Sequence, residues 1–370
     1  MKFSIDKNTI IDGINNVIKA ISVKNIIPVL NGIKFDLTKE GLYLLASDGE
    51  LTIKVLIEEK EIKKIDKEGS IVIQSKYILD ILRKMPSDII DFEVLEGLKV
   101  KISSVNNQFN LNCLDPNDYP VIKIEESKDP IVLDSTLLKN IINQTSFAIF
   151  NQELRPLLTG INIKINGDLL ECVATDSYRL AKKTVNLSKK VNGDVNIIIP
   201  GKSIIELEKM LVDEDVELHI FNNKILFKYK NILFQSNLLN GTYPNTNNLI
   251  PNDFSYIIKV NSDSFTSSID RASLLTLGKD KNIIKMLVDK KDIIISAASE
   301  LGKVEEKLAI ESNNKDKLEI SFSSKYMLEA LKTIKDEDLL VLMNSDTKPI
   351  VIKSVNDDSL IQLILPIKTY

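Results

Sequence analysis

One short segment occurs three times in this chain, in one order and at one long period. Ala174-Thr175-Asp176-Ser177-Tyr178-Arg179-Leu180-Ala181 follows the alternating apolar run Leu169 to Val173, so it reads as one strand turning into the next. The first third of the chain carries Leu45-Ala46-Ser47-Asp48-Gly49-Glu50-Leu51, and the last third carries Ser296-Ala297-Ala298-Ser299-Glu300-Leu301. Ala46, Ala174 and Ala297 are 128 and 123 residues apart. A period of that length means repeated domains and constrains the fold more than any local pattern.

Other segments keep the register. Ile73-Gln74-Ser75-Lys76-Tyr77, Ile199-Pro200-Gly201-Lys202-Ser203 and Phe322-Ser323-Ser324-Lys325-Tyr326 each open an apolar helix after their copy of the signature. Tyr119-Pro120 and Tyr243-Pro244 close the first two copies. The 370 residues therefore divide into three domains, 1–127, 128–251 and 252–370, each of ordinary size. The links Glu125 to Pro130 and Asn245 to Pro251 are short, polar and proline-containing, which favours a rigid string.

Within each copy the period switches twice. Ile10, Ile11, Ile14, Val17, Ile18 and Ile21 mark one face of a helix from Lys7, which Asp6 or Asn8 can cap. Gly32 to Leu37, Leu42 to Ser47 and Leu51 to Ile57 alternate as three strands. Lys60 to Gly69 reads as a charged connection. A strand, a helix (Lys76 to Met85) and a three-strand meander then follow again. Each copy is thus two half-copies, and the expected class is α+β, with two helices packed on antiparallel sheets in each domain.

Charge separates by element. The six predicted helices, Lys7 to Lys24, Lys76 to Met85, Ser135 to Ala148, Lys202 to Val212, Ser262 to Thr276 and Lys325 to Lys335, sum to +6. The whole chain carries −4, so the remainder carries −10. Lys-rich solvated faces are common in any protein. The same bias across equivalent helices of three copies points instead to a shared basic surface.

Catalytic signals are missing. Gly201-Lys202-Ser203 resembles the tail of a phosphate loop, but Asn196 stands where the motif needs Gly, and Ile197 to Ile199 replace its flexible cradle. His219, the single histidine, sits in an alternating strand and is expected on its solvent face. No His/Cys cluster suits a metal and no nucleophile elbow is present. The chain reads as non-catalytic, with no cofactor. Cys113 and Cys172 read as two buried, reduced thiols. There is no apolar run long enough for a membrane span and no signal-peptide core, so a cytoplasmic protein is expected.

The signature at 174–181 resembles that of the middle domain of bacterial DNA polymerase III beta subunits, the sliding-clamp family. So do Leu154-Arg155-Pro156-Leu157-Leu158-Thr159-Gly160 and Tyr243-Pro244-Asn245-Thr246-Asn247-Asn248-Leu249-Ile250-Pro251. The tail Leu363-Ile364-Leu365-Pro366-Ile367-Lys368-Thr369-Tyr370 looks like the family's own. The resemblance implies a head-to-tail homodimer closed into a ring of six domains, with sheets outside and helices lining a hole for duplex DNA. It implies sequence-independent, topological DNA binding. It also implies short-peptide docking of the replicative polymerase, clamp loader and repair proteins, to confer processivity. Lys24 takes the place of a basic DNA-contacting residue and Gln152 of a polar one, and the repeat adds Lys76, Lys202 and Lys325. Subunit contact falls on Phe109 and Leu111 against Leu274 and Leu275, with intradomain core as the alternative.

The implied peptide cleft comprises Leu158, Thr175, Ser177, Tyr178, Arg179, Leu180, Pro244 and Leu249, with Leu363, Leu365, Pro366 and Ile367 from the tail. Arg179 is expected to lend its stem to the pocket wall and its guanidinium to a carboxylate or carbonyl on the peptide. Tyr178 stands where many members have His, Leu365 and Ile367 replace Met, and Asn247 and Asn248 stand where a basic residue is common. Two rival readings are a monomeric peptide-binding scaffold and a nucleotide-using enzyme.

Overall fold

The computed structural model describes residues 1–22, 26–152, 154–276, 282–312 and 316–368. The first copy runs β1 (Lys2–Asp6), α1 (Lys7–Val17), β2 (Gly32–Thr38), β3 (Gly41–Ser47), β4 (Leu51–Glu58), β5 (Ile62–Lys67), β6 (Gly69–Gln74), α2 (Ser75–Lys84), β7 (Ile89–Leu95), β8 (Lys99–Ser104) and β9 (Asn107–Asn112). The second runs β10 (Ile131–Asp134), α3 (Ser135–Thr145), β11 (Gly160–Asn166), β12 (Leu169–Thr175), β13 (Arg179–Asn186), β14 (Val195–Pro200), α4 (Gly201–Met210), β15 (Asp215–Ile220), β16 (Lys224–Tyr229) and β17 (Ile232–Asn237). The third runs β18 (Tyr256–Asn261), α5 (Ser262–Ser273), β19 (Ile283–Val288), β20 (Asp292–Ser299), β21 (Gly302–Ala309), β22 (Glu311–Ser312), β23 (Leu318–Ser323), α6 (Ser324–Leu331), β24 (Asp338–Met343), β25 (Ile350–Ser354) and β26 (Leu360–Ile364). The class is α+β, with helices laid on antiparallel sheets.

The first helix starts where the sequence places its cap. Asp6 Oδ1 accepts from the backbone N–H of Asn8 (2.9 Å) and Thr9 (3.2 Å), and Asn261 and Ser323 cap α5 and α6 in the same way. The helices end earlier than their apolar period suggests. In α1, α3 and α5 the last predicted turn tightens into 3₁₀ turns at Ile18–Ala20, Ser146–Ala148 and Leu274–Thr276. The stretch expected to connect at Lys60 to Gly69 contains β5, a charged strand at the edge of its sheet. Charged side chains suit an exposed edge, which is why its alternation was hidden.

The half-copies exchange strands. β1 does not join the meander that follows it; it pairs with β7 of the other half-copy, and β6 returns to pair with β2. The second copy repeats this with β10–β15 and β14–β11, and the third with β18–β24 and β23–β19. Each copy therefore builds two sheets, and each meander ends in a strand with one open edge.

Packing follows these sheets. One compact unit holds Met1–Thr136 with Lys209–Leu238, and another holds Leu137–Glu208 with Leu239–Tyr370. The first contains a five-stranded sheet, β5-β1-β7-β8-β9, and an eight-stranded one, β10-β15-β16-β17-β4-β3-β2-β6. Ile10, Ile14 and Val17 of α1 are buried in it. The second contains a nine-stranded sheet, β14-β11-β12-β13-β26-β25-β24-β18-β22, and a four-stranded one, β21-β20-β19-β23. Phe265 and Ile269 of α5 and Met327 and Leu331 of α6 share its larger core.

The two long sheets each span a junction between copies, and the junctions match atom for atom. At the first, β17 lies against β4 with Phe234 opposite Ile53. Asn237 N donates to Glu50 O (2.9 Å) and Leu56 N to Asn231 O (3.0 Å). At the second, β26 lies against β13 with Gln362 opposite Ala181. Leu365 N donates to Tyr178 O (2.9 Å) and Thr184 N to Ser359 O (2.8 Å), the same pattern 128 residues on. In both, the last strand of a first half-copy meets the last strand of the next copy's second half. Two equivalent strands are left at sheet edges, β9 and β21.

Candidate partner-binding cleft

The repeated signature is a hairpin turn fixed by its own side chains. Asp176 Oδ1 accepts from Tyr178 N (2.9 Å) and Arg179 N (3.0 Å), and Ser177 N donates to Thr175 Oγ1 (3.2 Å). In the first copy Asp48 Oδ1 accepts from Glu50 N (3.0 Å) and Leu51 N (2.8 Å), and Gly49 N donates to Ser47 Oγ (3.1 Å). This turn needs a left-handed residue at its tip: Gly49 has φ +92°, and Ser177 takes φ +77° despite its side chain. Arg155 Nη1 donates to Ser177 Oγ (2.6 Å) across the surface. Below, Thr175 N donates to Tyr243 Oη (3.1 Å), and burial pushes that phenol well above its ordinary pKa, so it stays a neutral hydroxyl.

Arg179 is buried, 6% exposed, and its guanidinium is engaged within the protein. Nε bonds to Asp176 Oδ2 at 2.9 Å and Nη1 to Glu329 Oε2 on α6. The guanidinium carbon lies 4.5 Å from the ring centre of Tyr326 and 5.2 Å from that of Phe147. Its expected role as a charged hand for a peptide is therefore corrected. The stem of Arg179 helps wall the cleft, while its charge ties the turn to α6.

Around this turn lies an open cavity of about 570 Å³ with largely apolar walls. Leu158 and Leu180 form its floor with Leu363, which faces Leu180 across the β13–β26 pairing. Thr175, Ser177, Arg179, Pro244, Leu249 and Leu365 also line it. Leu249 is 52% exposed and Leu365 38%, a large apolar pair left at a rim. A second cavity, about 690 Å³, shares Leu365 and takes in Tyr178, Pro366 and Ile367 with Tyr326, Ser323, Asn282, Lys325 and Lys368. The tail between them is pinned, because Leu365 N donates to Tyr178 O and Ile367 N to Ser321 O (2.7 Å). All twelve residues expected at a cleft thus line two adjoining chambers. Sequence reasoning missed Arg155, Pro156, Leu157, Thr246 and Pro349. The first four lie inside the two motifs that marked the region.

Three family models match in chain order: the N-terminal, central and C-terminal domains of the DNA polymerase III beta subunit, over residues 1–123, 132–245 and 247–368. The chain is 40% identical to the beta sliding clamp of Bacillus subtilis (strain 168), covering all of both chains. The chain belongs to the beta sliding clamp family. Identity to the beta sliding clamp of Staphylococcus aureus (strain N315) is 38%, again over the whole of both chains. The crystal structure of the Bacillus subtilis DNA polymerase sliding clamp superposes with a TM-score of 0.97 over all of both chains, at 40% identity. The beta subunit from the DNA polymerase of Streptococcus pyogenes gives 0.95 at 31%, with the same coverage.

Other residues singled out for a sliding clamp fall as follows. Phe109 on β9 is 39% exposed and Leu111 half-buried; Leu274 is 61% exposed and Leu275 half-buried. Phe109 and Leu274 are therefore not intradomain core. Gln152, Lys76 and Lys202 are exposed. Lys24 lies outside the described residues. Lys325 is exposed too, but it stands on the wall of the second chamber.

Gly201 has a packing reason, since a Cβ there would meet Thr159 O at 2.7 Å, and Ser203 is buried. His219 is not on a solvent face: it is 1% exposed, and Nδ1 accepts from Ser127 N at 2.9 Å, holding the link between the first two copies. Cys113 and Cys172 are free and buried, and burial pushes their thiols up to about 11 and about 12. Among the described residues no helix is long and apolar enough to cross a membrane.

The engagement of Arg179 gives a test. Arg179→Met keeps the stem but strands Asp176, itself buried, beside Glu329. It is expected to lower stability by about 3 kcal/mol, read as a fall in the denaturant midpoint. An unchanged midpoint with peptide binding alone lost would return the guanidinium to a ligand-contacting role.

Proposed function

We propose that the chain acts as a head-to-tail homodimer, a ring of six domains bounded at 1–127, 128–251 and 252–370. The ring encircles duplex DNA and tethers the replicative polymerase and other replication and repair proteins in the cytoplasm. It is a processivity factor without catalysis of its own. The observation that carries this reading is the junction rule. Each internal junction joins a first-half terminal strand to the next copy's second-half terminal strand, and the rule leaves β9 and β21 to be joined between chains. Unpaired strand edges invite such pairing. A head-to-tail join of this kind made twice closes two chains into a ring when its rotation closes, and gives an open fibre when it does not.

The side chains at the open edges agree with this. By register, Phe109 corresponds to Phe234, which is fully buried at the first junction, so Phe109 has the residue type of a junction without its cover. Leu275 corresponds to Phe147, which packs against the core of the third copy at the second junction. Leu274 and Leu275 would cover the equivalent place in a partner. A monomeric scaffold has no use for either.

DNA contact then falls to Lys24, Gln152, Lys76 and Lys202. Lysine contacts to phosphate carry no base information, so a ring held by topology can slide along the duplex. The two adjoining chambers supply the tether, with apolar pockets for affinity and a few polar groups for orientation.

Two outcomes test the reading. Phe109→Asp with Leu274→Asp, both at exposed positions, is expected to give a folded monomer that is lost from nicked circular DNA. A variant that keeps the native dimer mass and stays on the circle would refute the interface. Leu249→Asp with Leu365→Asp is expected to keep the dimer and the DNA but to weaken binding of an apolar-anchored peptide at least tenfold, about 1.4 kcal/mol or more. The readout is fluorescence anisotropy, and full-strength binding would place recruitment elsewhere.

A further inference from the structure

The link between the first two copies is docked on β15 and β16 by three side chains. Lys224 Nζ donates to Lys123 O (3.2 Å) and lies 3.3 Å from Glu125 Oε2, and Lys228 Nζ reaches Glu126 Oε2 at 2.6 Å. The third is His219, the single histidine of the chain, 1% exposed. Alternation puts it on the same face as Glu217, and the register sets Leu226 opposite it, between Lys224 and Lys228.

Its hydrogen bond fixes the tautomer. Nδ1 accepts from Ser127 N at 2.9 Å, so the neutral imidazole keeps its hydrogen on Nε2. Nε2 is buried, and Glu217 Oε2 lies 3.3 Å away without the alignment of a hydrogen bond. Glu126, Glu217 and His219 offer atoms within 4.8 Å of one another, as a cation site would. The tautomer opposes that use, because a metal needs the lone pair of Nε2 and leaves the other nitrogen as a donor. Lys228 also brings its own charge there, 3.8 Å from Glu217 Oε2.

A proton is the ligand this geometry takes. It must enter at Nδ1, where it turns the acceptor of Ser127 N–H into a donor facing it. The charged groups around the imidazole are Glu217 from β15, Lys228 from β16 and Glu126 from the link, while β10 places Val132 opposite Glu217. The two carboxylates favour an imidazolium, and Ser127 Oγ, 3.0 Å from Nδ1, can accept its new hydrogen. The backbone N–H of Ser127 is then left without its partner. The docked form binds one proton fewer than the released form, so docking strengthens as pH rises and weakens as pH falls. The β4–β17 ladder is made of backbone bonds and holds the junction in either state.

We propose that His219 is a proton-operated latch on this link. Neutral, it fastens Ser127; protonated, it frees the backbone there and loosens the connection without separating the copies.

The test uses the full-length protein carrying nitrogen-15 histidine, whose lone imidazole gives one pair of ring-nitrogen signals. At about pH 8 they are expected to report hydrogen on Nε2. Amide exchange at Ser127, corrected for its intrinsic pH dependence, is expected to lose about tenfold of its protection by about pH 5. The midpoint of that loss should coincide with the midpoint of the imidazole signals. His219→Asn sets a non-titrating oxygen near the place of Nδ1 and should keep the protection throughout. Hydrogen on Nδ1 at pH 8 would overturn the proposal. So would separate midpoints in the wild-type protein, which are read whether or not the variant folds, or an equal loss of protection in His219→Asn.

Discussion

Unsatisfied strand edges organise this molecule. A backbone N–H or C=O without a partner is costly when it is buried, and a row of them along an edge is a template for another strand. Each meander here ends in such an edge. Within the chain two pairs of edges satisfy one another, β17 with β4 and β26 with β13, using hydrogen bonds that coincide in position after a shift of 128 residues. The cleft depends on the second of these. Leu180 and Leu363 share its floor because β13 and β26 are paired, and the tail is held by Leu365 N on Tyr178 O.

Divergence at equivalent positions then sets the two junctions apart. Leu180 and Leu363 are matched at the first junction by Thr52 and Gln235, which are also opposite each other. Thr52 shares a 2.8 Å hydrogen bond with Ser47, so polar pairing replaces an apolar floor. Arg179 is matched by Leu51, and with it the ion pairs to Asp176 and Glu329 disappear. The architecture is repeated; these side chains are not.

Much of this was legible in the sequence because repetition multiplies weak signals. The turn at Asp176 and Ser177 could be read from Asp48 and Gly49, and the start of α1 from its cap at Asp6. Strand partnership was not legible, since β1 carries no mark showing that it belongs with β7 rather than β2. Nor was the fate of polar side chains. His219 looked like a solvent-face residue because alternation gives a face but not what covers it; the link residue Ser127 does so. Arg179 looked like a ligand contact because its ion partner Glu329 is 150 residues away. Lys325 matched Lys76 and Lys202 by position, yet only the fold brings it beside the tail at Leu365 to Lys368.

The central claim is that β9 and β21 of different chains pair in the register of the internal junctions. By that register Phe109 of one chain faces Val304 of another, as Phe234 faces Ile53. Hydrogen bonds at Asn237–Glu50 and Asn231–Leu56 make Phe234–Ile53 a non-hydrogen-bonded pair, the closer kind, within the span of a disulfide. Phe109→Cys with Val304→Cys, oxidised at dilute protein concentration, should give a doubly cross-linked dimer. Nicked circular DNA threaded before oxidation should then survive denaturant still linked to the protein. An uncross-linked chain of native monomer mass would contradict the account.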